Sequence, residues 1–162
     1  MSEVREEIFV DAEGIILGRL CTFVAKKALI GYKVNVVNIE KSIVTGSKKV
    51  VFGKYKRLRE IGGPRFGISI HRTPRGIFKR ALINMLPHKR VRGREAMERV
   101  KAFRGVPESL KDKKLVTVVG ASVDKVPNTK YVTVLDIVKF VGGKWKLYMF
   151  QEREKGLLLE QP

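Results

Sequence analysis

Residues 8–40, IFVDAEGIILGRLCTFVAKKALIGYKVNVVNIE, read as strand, helix, strand. Ile8–Gly14 opens on apolar residues and closes on a turn glycine. In the next segment Leu17, Leu20, Cys21, Val24 and Ala28 recur at helical spacing, and Gly31 supplies a stop. Lys33–Glu40 is short and rich in β-branched residues. Strand, helix and strand in so few residues predict a βαβ unit, and such a unit makes its two strands parallel. Leu115–Gly120, "LVTVVG", is a further short apolar run able to join the same sheet. Thr133–Gly142 reads as a late helix. Thr133 and Asp136 stand at capping spacing, Val134, Ile137, Val138 and Val141 form its stripe, and Gly142 ends it. The tail, about 143–162, is read as an appendage to a single domain spanning 1–162.

The chain has 162 residues, of which 44% are hydrophobic, enough for a real core rather than a disordered basic tail. Its 34 Lys and Arg face 16 Asp and Glu, a net charge of +18. Self-repulsion of that size opposes compaction unless a polyanion is present. The excess is localised: Lys48–Arg104 holds 18 cations and only three acids, Glu60, Glu95 and Glu98. A merely solvated face mixes signs, because like charges at helical neighbour spacing destabilise. Phosphates are the natural counter-charge, and Arg adds paired hydrogen bonds to their oxygens.

Within the basic third, "SKKVVFGKYKRLRE" predicts a helix. Ile61–His71, with three glycines and a proline, predicts a loop. "TPRGIFKRALINML" predicts a second helix, capped by Thr73 with Pro74 at its first position. Ile77, Phe78, Ala81, Leu82 and Met85 are its expected buried stripe, Arg75, Lys79 and Arg80 lie off it, and Pro87 ends it. A third helix is expected from near Gly93, with Ala96, Val100 and Phe103 on one face. The bend between these helices is expected to display Lys89, Arg90, Arg92 and Arg94 away from the core. Phe52, Tyr55 and Phe66 lie among the cations, able to stack on unpaired bases or simply to pack.

Catalysis finds little support. The histidines are His71 and His88, the one thiol is Cys21, and three scattered residues make no metal site. Cys21 lies on an apolar stripe, the place of an inert thiol. "TGSKK" (45–49) and "GGPRFG" (62–67) lack the spacing of phosphate-binding loops. No cofactor and no small-molecule substrate are expected. A single cysteine excludes an internal disulfide, and neither a signal peptide nor a membrane-span pattern is read, so a cytoplasmic protein is expected. A nucleotide-dependent enzyme and a DNA binder using the third helix are the rival readings. The second suffers from Glu95 and Glu98 on that helix.

The stretch "HRTPRGIFKRALINMLPHKRVRGREAMERVKAFRGVP" (71–107) closely resembles the signature of universal large-subunit ribosomal protein thirteen, in its archaeal or eukaryote-like form. Its most specific part is Met85–Lys89 with Arg92 and Gly93. "LGRL" (17–20) and "VNIEKSIVTGSK" (37–48) are similar to that family too, whereas Asn84 stands where it usually has glycine. The resemblance implies a three-layer α/β/α fold with a mainly parallel sheet and a basic helical and loop extension. It also implies a structural, non-enzymatic role: binding large-subunit 23S-type rRNA beside neighbouring ribosomal proteins, in assembly and translation. The expected rRNA-binding residues are Lys48, Lys49, Lys54, Lys56, Arg57, Arg59, Arg65, His71, Arg72, Arg75, Lys79, His88, Lys89, Arg90, Arg92 and Arg94.

Overall fold

A computed structural model describes residues 5–62, 70–125 and 130–142. The opening unit is βαβ: β1 (Arg5–Asp11), α1 (Leu17–Ile30) and β2 (Tyr32–Val37), with the two strands adjacent and parallel. Ile8 pairs with Val34 and Val10 with Val36. The expected stripe of α1 is buried, and Ala25 joins it. Gly31 ends the helix at φ 110°, a left-handed conformation that costs a glycine little.

Further along come β3 (Ile43–Thr45), α2 (Lys48–Glu60), α3 (Pro74–Ile83), α4 (Val91–Glu98), β4 (Val100–Ala102), β5 (Leu115–Val116), β6 (Tyr131–Thr133) and α5 (Val134–Val141). The main sheet has the order β4-β2-β1-β5, all neighbours parallel. β3 and β6 form a separate antiparallel pair, Val44 opposite Val132. The fold is α/β, as expected. β2 is buried continuously from Val34 to Val37 rather than on alternate residues, which requires cover on both faces of the sheet centre. α1 packs on β2 and also against α3 and α4, so the helix following the first strand links the sheet to the basic region.

Two elements depart from the expectations. The third helix starts at Val91 rather than near Gly93 and stops at Glu98, so Val100 and Phe103 are not on it. Val100 instead pairs with Val34 at the edge of the sheet, and the Phe103 amide donates to the Val36 carbonyl at 2.8 Å. Valine and phenylalanine suit a strand as well as a helical stripe, and the open edge of β2 decided between them. Met85, expected in the core, is 42% exposed. α3 ends at Ile83, earlier than Pro87 alone demanded, and in the turn that follows Leu86 is buried in place of Met85. Asn84 has φ −71°, an ordinary right-handed angle, so this turn does not require glycine.

The caps match the expectations. The Thr73 hydroxyl accepts from the Gly76 amide at 3.2 Å, with Pro74 at the first helical position. The Thr133 hydroxyl accepts from the Asp136 amide at 3.1 Å, and the expected stripe of α5 is buried. At the carboxyl ends of β1 and β2, the Asn38 side-chain amide donates to Asp11 Oδ1 at 3.0 Å. Asn38 itself takes φ 54°, a left-handed turn that asparagine tolerates better than most residues. That bond ties the two strand ends together, and nothing in the sequence pattern announces it. The appendage expected at about 143–162 lies outside the described residues.

Candidate nucleic-acid interface

The cations sit on three helices and one turn. Lys48, Lys49, Lys54, Lys56, Arg57 and Arg59 are exposed on α2. Of α3 and its approach, His71, Arg72 and Arg75 are exposed and Lys79 is half-buried. His88, Lys89 and Arg90 are exposed on the turn, and Arg92 and Arg94 on α4. Those last two are therefore held by α4 and not by the bend itself. Arg65 and Phe66 lie outside the described residues.

Backbone packing fixes the turn. The Arg90 amide donates to the Pro87 carbonyl at 2.9 Å, and His88 Nδ1 lies 3.2 Å from the Ile83 carbonyl. His88 thus serves at least partly as a structural tie back to α3. Gly93 is the keystone: a Cβ there would stand 2.2 Å from the Pro87 carbonyl oxygen and 2.4 Å from its carbon. Gly93 lies inside the helix rather than at its start. It permits close approach inside α4, where the preceding turn crosses the helix. Gly93→Ala is expected to cost about 1–3 kcal/mol of stability, because neither backbone can yield cheaply. Gly53, on α2, has open space at its Cβ position, so Gly53→Ala is expected to gain about 0.5–1 kcal/mol. Urea melts of the two variants check the pair, and equal shifts would refute the close approach.

The placement of charge along the helices is more informative than its amount. A helix carries partial positive charge at its N-terminus, where acids stabilise and cations do not. α2 begins with Lys48 and Lys49, α3 has Arg75 at its second position, and α4 has Arg92 and Arg94 in its first half. None of the three has an acid in its first turn; outside the basic third α5 has Asp136 there, and α1 has none. Three helices thus place cations at their positive ends, an arrangement that opposes folding in isolation and favours a bound anion. Few acids relieve it internally. Among the described residues Lys56 is the one expected site residue in a salt bridge, 3.9 Å from Glu60 and well exposed. Arg99 is different: it reaches Glu95 at 3.2 Å and the Ala28 carbonyl at 3.3 Å, so it braces α4 against α1.

Between α2 and α3 lies a cavity of about 380 Å³. Lys54 and His71, expected from the sequence, meet there with Arg80 and Asn84, which were not among the expected rRNA-binding residues. Amphipathic patterning finds the helices but not the space between them. Tyr55 lines the cavity, and burial pushes its hydroxyl above the usual tyrosine range, so the ring stays neutral. Phe52 does not face a ligand in this way. It stacks on Phe140 of α5, ring centroids 4.5 Å apart and planes 4° from parallel, which is packing. Cys21 is fully buried, and desolvation pushes its thiol up to about 12, so it is no nucleophile at neutral pH. Among the described residues no group of three or more His, Cys, Asp and Glu could hold a metal ion. No helix among them is long and apolar enough to cross a membrane.

The family model described as ribosomal protein L13 matches residues 5–109, which takes in β1 through β4 and the whole basic third. The chain belongs to the ribosomal protein L13 family. Relatives named large ribosomal subunit protein uL13 agree. That of Methanococcoides burtonii is 40% identical over 136 residues, covering 84% of this chain and 98% of its own length. That of Archaeoglobus fulgidus is 42% identical over 134 residues, covering 82% and 86%. That of Haloarcula marismortui is 38% identical over 143 residues, covering 88% and 96%. Membership of the L13 family sets the chain among structural ribosomal proteins and not among enzymes. The archaeal sources of these relatives fit the archaeal or eukaryote-like form read in the sequence.

Proposed function

We propose that this L13-family chain is a structural constituent of the cytoplasmic large ribosomal subunit. It binds 23S-type rRNA through the exposed cations of α2, α3, the following turn and α4, and it supports subunit assembly and translation beside neighbouring ribosomal proteins. The observation that carries the reading is the crowding of Lys and Arg at the positive ends of three helices without acids in their first turns. RNA phosphates supply the missing charge, and the helix ends add backbone N–H donors for the same oxygens. The names of the relatives support the ribosomal setting. The whole chain acts in this reading as one ribosomal-protein domain.

Replacing Lys89, Arg90, Arg92 and Arg94 together with glutamine tests the positioned surface. All four are exposed, so the fold is expected to persist. Removing like charge from a positive helix end should even stabilise the free protein slightly. The slope of log affinity against log salt is expected to fall by about 0.7–0.9 for each phosphate that the variant no longer neutralises. Lys26, Lys113, Lys114 and Lys125, exposed and outside the basic third, make the matched control. Equal weakening of rRNA binding in both quadruple variants would mean that only bulk charge matters. Absence of the turn variant alone from assembled subunits supports the positioned surface.

A further inference from the structure

We propose that the cavity between α2 and α3 takes one unpaired nucleotide of the bound RNA, its base inside against Tyr55 and its phosphate at the cationic mouth. The inference rests on the RNA-binding reading and makes it specific. The walls are apolar: Leu17, Val44, Leu58 and Ile77 are among the lining residues, with the Tyr55 ring beside them. At about 380 Å³ the space sits at the small end of ligand cavities, right for a single base and too small for a folded element.

The charged groups of the cavity have one sign. Lys54 and Arg80 line it with His71 beside them, and among the described residues no carboxylate does. An apolar peptide side chain would satisfy the walls but would leave Lys54 and Arg80 without a counter-charge. A nucleotide satisfies both, with a flat apolar face for the walls and a phosphate for the mouth. Asn84 adds an exposed side-chain amide, able to donate and accept at once, as the edge of a base requires. The mouth is also built. A Cβ on Gly76 would stand 2.6 Å from the His71 Cβ, so the absence of a side chain in the first turn of α3 lets His71 lie close over it. Tyr55, kept neutral by burial, offers a ring without a competing negative charge.

The test uses the full chain with a large-subunit rRNA transcript. Short-wave ultraviolet light joins stacked aromatic residues to bases, and peptide mass spectrometry locates the joint. The expected result is an RNA adduct at Tyr55. Ala81 lines the cavity, and Ala81→Phe fills it without removing any cation. That variant is expected to bind the transcript roughly 5- to 150-fold more weakly, the fold-change equivalent to losing one stacked base. If Ala81→Phe does not fold, the adduct on the unmodified chain decides alone. Tight binding of the transcript with no Tyr55 adduct overturns the nucleotide pocket and leaves the RNA-binding reading standing. A Tyr55 joint to a neighbouring ribosomal protein in assembled subunits overturns the nucleotide pocket as well. Failure to bind the transcript even at low salt overturns both readings.

Discussion

Affinity for large-subunit rRNA is expected to fall roughly 10³–10⁵-fold as salt rises from about 50 to about 200 mM, for a surface that contacts on the order of 6–10 phosphates. The physical basis is counterion release: each phosphate neutralised by a Lys or Arg frees condensed cations, and added salt opposes that release. The exposed cations on α2, α3, the turn and α4 are sufficient for such a surface. Arg99 is not counted, since it is held by Glu95 and the Ala28 carbonyl. Fluorescence anisotropy of a labelled rRNA fragment across a salt series gives the slope. A nearly flat line would show that the localised charge is not the binding surface.

Phe78→Ala is expected to cost about 3–5 kcal/mol, and Met85→Ala about 1 kcal/mol. On the helical stripe alone the two residues are equals, and Met85→Ala would cost about 2–5 kcal/mol. The structure separates them. Phe78 is fully buried and among the largest side chains of the core. Met85 is 42% exposed, its sulfur 3.6 Å from the Thr22 hydroxyl, so truncation leaves little cavity. Domains of this kind hold about 5–15 kcal/mol in all, so the phenylalanine change removes a large fraction of it. Arg90→Ala should leave the melting temperature nearly unchanged, since Arg90 is exposed and its backbone makes the turn contact. Thermal melts of the three variants rank them. Equal destabilisation by Phe78→Ala and Met85→Ala would contradict the register assigned to the end of α3.

The sequence by itself determined the βαβ unit, the helices α1, α2 and α5, the two threonine caps and the basic third. These are local facts. Hydrophobic period, Gly31 and Gly142 at helix ends, and a hydroxyl three residues before the amide it accepts all act within one or two turns of chain. The exposure of Lys89, Arg90, Arg92 and Arg94 was legible for the same reason, because unpaired cations do not enter a core.

Tertiary structure alone decided where the segment after α4 went. Val100 lies at a spacing that suits a helical stripe, but the free edge of β2 offered it a strand partner in Val34. It also decided that Leu86, not Met85, closes the core at the end of α3, and that Gly93 is needed by a carbonyl six residues earlier. The β3–β6 pair joins residues about ninety positions apart, a contact no local pattern encodes. The cavity that gathers Lys54, Tyr55, His71 and Arg80 belongs to the same class. Composition could say that a polyanion was awaited. Where an unpaired base would enter depends on the gap between α2 and α3, which is set by how α2 seats on α5 and β6 and how α3 seats on α1 and α5.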